Sequence, residues 1–154
     1  MSLPPFQTFL DEHHVEVHRF LVAMVGRDDA DDCFQETFIS ALRAYPRLRT
    51  DSDLRAWVFT IAHRKAIDVQ RSRSRRSVPV AQVREVHVGA EVEVADDGLW
   101  AAVRALPPKQ RAAVVHRFVG DLAYADIGRL LGSTAEAARR NVHEGLTTLR
   151  RTHV

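Results

Sequence analysis

Four side chains suited to DNA lie close together near the C-terminal end of the sequence: Arg139, Arg140, Asn141 and His143. Arginine binds guanine edges or phosphates, asparagine pairs with adenine, and histidine adds a further hydrogen-bonding group. This chemistry needs a rigid element that can present the side chains to a groove. The residue types therefore indicate recognition of nucleic acid, with an Arg-rich solvated face of a helical hairpin as the alternative.

The residues before and around this run have the spacing of a helix-turn-helix. Ile127 and Leu131 fall on an inward face, and Gly128 is small where two helices must approach closely. Gly132 stands at the turn, where a left-handed backbone is needed. Thr134 is predicted to cap the second helix.

Charge is distributed in alternating blocks that the overall net charge of +2 conceals. The net charge is −6 over residues 1–42, +7 over 43–76, −4 over 77–98 and +5 over 99–154. Two basic blocks, each beside an acidic one, indicate two separate contacts with a polyanion. Solvated charge runs on helical surfaces are the alternative interpretation.

Helical spacing of apolar residues dominates the rest of the chain. Helices are predicted over residues 6–21, 28–45, 54–76, from 99 to about 106, 109–119, 122–131 and 135–150. Gly26 and Pro46 separate the first three, and Asp28 or Asp29 is predicted to cap the second. Residues 77–97 show no sustained period and are predicted to be a flexible linker. The fold class is therefore all-α, with two small helical domains at 1–76 and 98–154.

Apolar side chains fall on single stripes of these helices. Phe34, Phe38, Ile39 and Leu42 share one stripe of the second helix. Trp57 lies on the apolar stripe of the third and is assigned to the core, with a stacking platform for a base as the alternative.

Composition excludes several classes of protein. No apolar run approaches the roughly 18 residues of a membrane span, and residues 1–9 lack the pattern of a signal peptide. A single cysteine, Cys33, is predicted to be a buried thiol of a cytoplasmic protein. His14 and His18 are spaced for a metal, but no further ligand completes the set. No catalytic or phosphate-cradling motif is present, so we expect neither an enzyme nor a cofactor.

Three motifs in order resemble the bacterial sigma-70 superfamily, specifically the short extracytoplasmic-function (group 4) sigma factors. The first is Asp-Asp-Cys-Phe-Gln-Glu-Thr-Phe at 31–38, and the second is Leu-Arg-Ala-Trp-Val-Phe-Thr-Ile-Ala at 54–62 with Ala-Ile-Asp at 66–68. The third is Ala-Leu-Pro-Pro-Lys-Gln-Arg at 105–111, followed by the helix-turn-helix. The resemblance covers nearly the whole chain outside the linker.

The resemblance implies the partners and the residues that meet them. Core RNA polymerase would bind through its β′ coiled coil and β flap, with docking by Asp32, Gln35, Glu36 and Phe38. Core packing is the alternative role for Phe38. An inhibitory anti-sigma protein is a further implied partner, and no membrane insertion is expected.

The resemblance also divides promoter recognition between the two domains. The basic helix of the first would melt and bind the −10 element through Arg55, His63, Arg64, Lys65 and Arg71. The loop at residues 47–53 would capture a flipped base. The second domain would bind the −35 element through Thr134, Glu136, Arg139, Arg140 and His143.

Two other functions fit the same residues. One is a DNA-binding regulator of sigma-like ancestry that no longer recruits polymerase. The other is a sigma-like protein that spends most of its time bound to an inhibitory partner.

Overall fold

The computed structural model describes residues 2–75 and 97–152, and every regular element in these two ranges is a helix. The elements in chain order are α1 (Phe6–Val25), α2 (Arg27–Ala44), a short 3-10 turn (Tyr45–Arg47), α3 (Leu54–Arg75), α4 (Asp97–Arg104), α5 (Pro108–Phe118), α6 (Tyr124–Leu130) and α7 (Ala135–Thr152). The prediction of an all-α fold is confirmed. The predicted linker lies outside the described residues, apart from Asp97, which begins α4.

Local residue chemistry accounts for most helix ends. Gly26 has φ 88° between α1 and α2, and Gly132 has φ 70° in the turn before α7, as the sequence predicted for a glycine at that turn. The backbone N–H of Ala56 donates to Asp53 Oδ1 at 3.1 Å and caps α3. The predicted cap on α2 is wrong. Gly26 occupies that position without a side-chain bond, and Asp28 and Asp29 lie inside the first turn, where their charge favours the positive helix end.

The first helical unit consists of α1, α2 and α3 around an aromatic core. Phe9, Phe20 and Phe59 are fully buried within it. Trp57 packs at the edge of this core, with its ring centroid 5.7 Å from that of Phe9. The Tyr45 hydroxyl donates to Pro4 O at 2.6 Å and closes the end of the unit.

The second helical unit consists of α4 to α7, and α7 packs against both α5 and α6. Ile127, Ala138 and Val142 form its buried centre. Gly145 allows α7 to approach α5 closely, because a Cβ there would lie 2.8 Å from Val114 Cγ2. The sequence pattern thus produces a helix-turn-helix supported by two further helices.

The two units pack directly on each other. Helix α1 contacts α4 and α5, and α3 contacts α6. The Phe20 ring lies 4.5 Å from the ring of His116 on α5, measured between centroids. Arg104 of α4 donates to Val22 O near the end of α1 at 3.4 Å. Side chains of the first unit that face this contact are therefore partly covered by the second.

Candidate polymerase and DNA interfaces

The outward face of α2 combines polar and apolar side chains. Asp32, Gln35 and Glu36 are exposed, as expected of residues that meet a partner. Ile39 is 44 % exposed and Leu42 is 54 % exposed, so the stripe predicted on this helix reaches the surface. The apolar stripe of α2 is wider than the part that its neighbours cover. Exposed apolar side chains beside Gln35 are typical of a protein-binding surface.

Phe38 occupies a different position from the other predicted docking residues. It is only 8 % exposed, and its ring centroid lies 5.0 Å from Phe34 and 6.2 Å from Phe9. The structure thus places Phe38 in the core, where it fixes how α2 lies on α1. This corresponds to the alternative role stated from the sequence.

The predicted −10 residues on α3 fall into two groups. Arg64 and Arg71 are exposed, and Lys65 is half-buried with its Nζ 4.0 Å from Glu36 Oε1. Arg55 and His63 instead face the second unit. Only part of the predicted DNA surface is therefore open in this arrangement.

Arg55 connects three elements through its guanidinium group. Its Nε donates to Gly120 O at 3.0 Å in the loop after α5, and a second nitrogen also donates to that carbonyl. A further nitrogen pairs with the Glu16 carboxylate on α1. The guanidinium carbon lies 5.3 Å from the centre of the Phe59 ring. Arg55 is satisfied by these groups without any nucleic acid.

His63 and His116 form a buried pair at the centre of the contact. His63 Nδ1 lies 3.2 Å from His116 Nε2, and the residues are 8 % and 0 % exposed respectively. Burial lowers the pKa of His63 to about 4, with a smaller effect from Arg64. Burial also holds the pKa of His116 well below its ordinary value, and His63 adds to that effect. Both rings are thus neutral at pH 7, and one donates its N–H to the other.

A cavity of about 330 Å³ opens beside this pair, between α3 and α6. Thr60 and Arg64 line it from α3, and Arg129 and Leu130 line it from α6. Arg129 is paired with Asp126 on its own helix. The cavity marks where the two predicted DNA-binding units approach each other without filling the space.

The helix-turn-helix carries its predicted residues on an open face. Thr134 Oγ1 accepts a hydrogen bond from the Ala137 N–H at 3.0 Å, which confirms the predicted cap. The other four predicted −35 residues are all exposed on α7: Glu136, Arg139, Arg140 and His143. The geometry therefore presents one continuous polar face of α7 to a ligand.

Cys33 and the pair His14 and His18 were the remaining candidates for chemistry, and both have structural explanations. Cys33 is 2 % exposed, and burial raises the pKa of its thiol to about 11, with smaller effects led by Asp29, so the prediction of a buried thiol is confirmed. His14 Nδ1 lies 3.1 Å from Leu10 O, and His18 pairs with Asp31. Within residues 2–75 and 97–152, no group of three ligands suited to a metal is present.

Comparison with known protein families matches both units. Residues 9–76 match Sigma-70 region 2, and residues 97–149 match Sigma-70, region 4. CarQ, an RNA polymerase sigma factor of Myxococcus xanthus, is 31 % identical over 94 % of this chain and 87 % of its own length. ShbA, an ECF RNA polymerase sigma factor of Streptomyces griseus, is 32 % identical over 81 % of this chain and 72 % of its own length.

The chain is an extracytoplasmic-function sigma factor of the sigma-70 family. This family membership makes it a protein of transcription initiation and not an enzyme. The chain spans 59–87 % of the length of the curated relatives named by these comparisons. No helix in the described part of this sigma factor is long and apolar enough to cross a membrane.

A solved structure has the same fold as this sigma factor. It is the sigma factor RpoE in complex with the anti-sigma factor NepR from Bartonella quintana. The TM-score is 0.80 at 21 % identity, over 95 % of this chain and 94 % of that one.

Sequence reasoning missed two features of this sigma factor. It did not identify Ile39 and Leu42 as surface residues, although their spacing from Gln35 places all three on one face of a helix. It also did not identify Tyr124 as a ring that both Arg117 and Arg139 contact. The guanidinium carbons of Arg117 and Arg139 are 4.4 Å and 4.8 Å from the centre of the Tyr124 ring. Arg117 lies seven positions before Tyr124 and Arg139 lies fifteen positions after it, each on a different helix, so only the folded structure brings them together.

Proposed function

We propose that this sigma factor binds core RNA polymerase and directs it to promoters by contacting −10 and −35 elements. The observation that carries the proposal is the order of its two units. A region 2 match with an exposed docking face on α2 precedes a region 4 match that ends in an open helix-turn-helix. The basic blocks belong to α3 and to the second unit, which are the elements that would meet DNA.

The docking face for the β′ coiled coil is proposed to consist of Asp32, Gln35, Glu36, Ile39 and Leu42. Exposed apolar side chains in the middle of a polar face can anchor a helix of a partner. Phe38 supports this face from beneath, because its side chain is buried. The β flap is proposed to bind the second unit.

Replacing Gln35 and Ile39 together with alanine is expected to weaken core binding by about ten-fold or more. Both side chains are exposed, so the folded state should keep its stability. Binding is measured with purified core polymerase, and Gln7→Ala is the matched control, because Gln7 is exposed on α1 and bonded only to Asp11. Equal affinity of the double variant and the unchanged protein would remove this face from the docking surface.

The DNA contacts are proposed to follow the two basic blocks. Arg64, Lys65 and Arg71 would bind the −10 element as the units stand, whereas Arg55 and His63 become available only when the second unit moves away. The −35 element would bind Arg139, Arg140 and His143 on α7, with Thr134 and Glu136 at the start of that helix.

Run-off transcription tests the proposed function directly. Core polymerase with this protein is expected to produce transcripts with discrete start sites from genomic fragments, and core alone is not. If core polymerase ignores the purified protein while duplex DNA still binds it, the chain is a DNA-binding regulator and not a sigma factor. The α2 face favours the sigma factor, since a regulator has no need of it.

An anti-sigma protein is proposed as the inhibitory partner, and the cytoplasm as the compartment. The fold matches that of RpoE, which was solved with the anti-sigma factor NepR. Co-purification from the native cell, followed by transcription with and without the partner, tests this proposal. A partner that leaves transcription unchanged would contradict it.

A further inference from the structure

The outward face of α7 carries an acidic side chain among basic ones. The buried stripe of this helix consists of Ala138, Val142, Gly145 and Leu149. With about 3.6 residues per turn, Glu136, Arg140 and His143 lie on the side of the helix opposite that stripe. All three are exposed. They are therefore the side chains that α7 would present most directly to a groove.

Arg139 lies to one side of this face. Its guanidinium carbon is 4.8 Å from the centre of the Tyr124 ring on α6, and a cation over an aromatic face is attracted by the ring quadrupole. Arg139 is thus drawn toward α6, along the edge of the helix-turn-helix. The first two turns of α7 then leave the centre of the outward face to Glu136 and Arg140.

The carboxylate of Glu136 is not used by the protein itself. Thr134 already caps α7, since its Oγ1 accepts a hydrogen bond from the Ala137 N–H and its carbonyl accepts one from the Ala138 N–H, both at 3.0 Å. Within the part of the chain that the structure describes, Glu136 has neither a hydrogen-bond partner nor an ion-pair partner. Its oxygens are free to accept hydrogen bonds from a ligand.

A carboxylate at the centre of a DNA-binding face is selective about what it can meet. It repels phosphate groups, and it cannot bond to guanine O6 and N7 or to thymine O4, which are acceptors. The N4 amino group of cytosine is a donor in the major groove, and carboxylates pair with it. Adenine N6 is also a donor, but the acceptor N7 beside it repels a carboxylate. Cytosine is therefore the base whose edge suits Glu136 best.

Arg140 allows this negative charge to approach DNA. It follows Glu136 by four residues, so the two side chains are neighbours on the helix surface. Arg140 also has no ion-pair partner among residues 2–75 and 97–152. A guanidinium group beside the carboxylate offsets the repulsion from phosphates, and it can bind guanine O6 and N7. The two side chains together suit a site that offers both cytosine and guanine, such as a single C·G pair.

We propose that Glu136 determines specificity within the −35 element by accepting a hydrogen bond from the N4 amino group of one cytosine. This inference rests on the proposed function, because it assumes that α7 enters the major groove of the −35 duplex. It adds the base that is selected and the residue that selects it. Glu136 lowers the affinity for DNA in general and recovers that loss only where a cytosine stands.

Selection from a pool of random duplexes tests this inference, with the full chain used both alone and with core polymerase. Sequencing of the bound duplexes should show a cytosine at one position for the unchanged protein. Replacing that cytosine with thymine should weaken binding about ten-fold. Glu136→Ala should lose the preference at that position only, and Glu136→Gln should shift it toward adenine, because glutamine pairs with adenine N6 and N7.

Affinity for a scrambled duplex provides a second measurement of the opposite sign. Glu136→Ala should bind that duplex more tightly than the unchanged protein does, because a charge that repels phosphate has been removed. Glu144→Ala is the matched control. Glu144 is also an exposed acid on α7, and it lies 3.5 Å from Gln110 Nε2 on α5. This control should leave the preference for every base unchanged.

A cytosine preference that persists in Glu136→Ala would overturn the inference. So would a loss of preference spread equally over all positions, because Glu136 would then support the start of α7 instead of reading a base. If the unchanged protein selects no sequence, alone or with core polymerase, the inference fails as well. Run-off transcription from genomic fragments decides separately whether the proposed function survives.

Discussion

Gly128→Ala is expected to destabilise the second unit by about 3 kcal/mol and to abolish transcription that depends on the −35 element. A Cβ at this position would lie 2.5 Å from the carbonyl carbon of Thr134 and 2.9 Å from the Ala135 nitrogen. These are backbone atoms, so no side chain can turn aside to make room. The start of α7 would have to move away from α6. The Ser133 N–H bond to Gly128 O, at 2.7 Å, and the cap made by Thr134 would both be strained.

Thermal unfolding followed by circular dichroism measures this effect, with an expected fall in melting temperature of about 10 °C. Gly132→Ala is the matched control, because it adds the same methyl group in the same turn. That methyl group would meet nothing within 4 Å, and its cost is the left-handed backbone at φ 70°, about 1 kcal/mol. A Gly128→Ala protein that melts no lower than Gly132→Ala would show that the two helices need no close approach.

Acid is expected to weaken the association of the two units as the pH falls from about 6.5 toward 4. His63 and His116 are neutral and buried in the folded protein, with the pKa of His63 lowered to about 4 and that of His116 also lowered. In the unfolded chain both would titrate near 6.5. Below that value the unfolded state binds more protons, so the free energy of unfolding rises with pH across this window. The stabilising contribution is complete above pH 6.5 and is lost on acidification.

The free energy of unfolding should change with pH by about 1.4 kcal/mol per pH unit for each histidine that takes up a proton only on unfolding. Denaturant unfolding at several pH values between 4.5 and 7.5 measures it. The double variant His63→Leu/His116→Leu should show a clearly flatter profile. Phe20→Leu is the control, because it weakens the same contact without removing a titratable group, and its profile should run parallel to that of the unchanged protein. If the pH profile of the double variant also runs parallel to that of the unchanged protein, the two histidines are not the source of the pH dependence.

Helices and their ends could be predicted from the sequence because local chemistry determines them. Gly26, Pro46 and Gly132 interrupt the helical pattern, and the structure ends or turns its helices at those points. The cap on α2 was misassigned because Asp28 and Asp29 have the right chemistry but lie two and three residues after the capping position, Gly26. Helix propensity alone does not distinguish a cap from a first-turn residue.

The arrangement of the two units could not be predicted, and it determines which of the predicted site residues are covered. His63 was assigned to DNA contact because it lies in a basic helix, and the pattern of one helix does not indicate which face a distant unit will cover. Ile39 and Leu42 share an apolar stripe with Phe38, but α1 and α3 cover only part of α2, and the stripe alone does not indicate which part. Contacts between residues far apart in sequence, such as Arg55 with Gly120, depend on the whole fold.

The engagement of Arg55 and His63 by the second unit has a consequence for promoter affinity. A promoter strand that needs these two side chains can bind only the fraction of molecules in which the units are apart. The apparent Kd then equals the intrinsic Kd divided by that fraction. A separation free energy of about 2.7 kcal/mol would weaken apparent binding about one-hundred-fold. Any ligand that favours the separated form, core polymerase included, would remove that penalty. Binding of that ligand and binding of the promoter would then be cooperative.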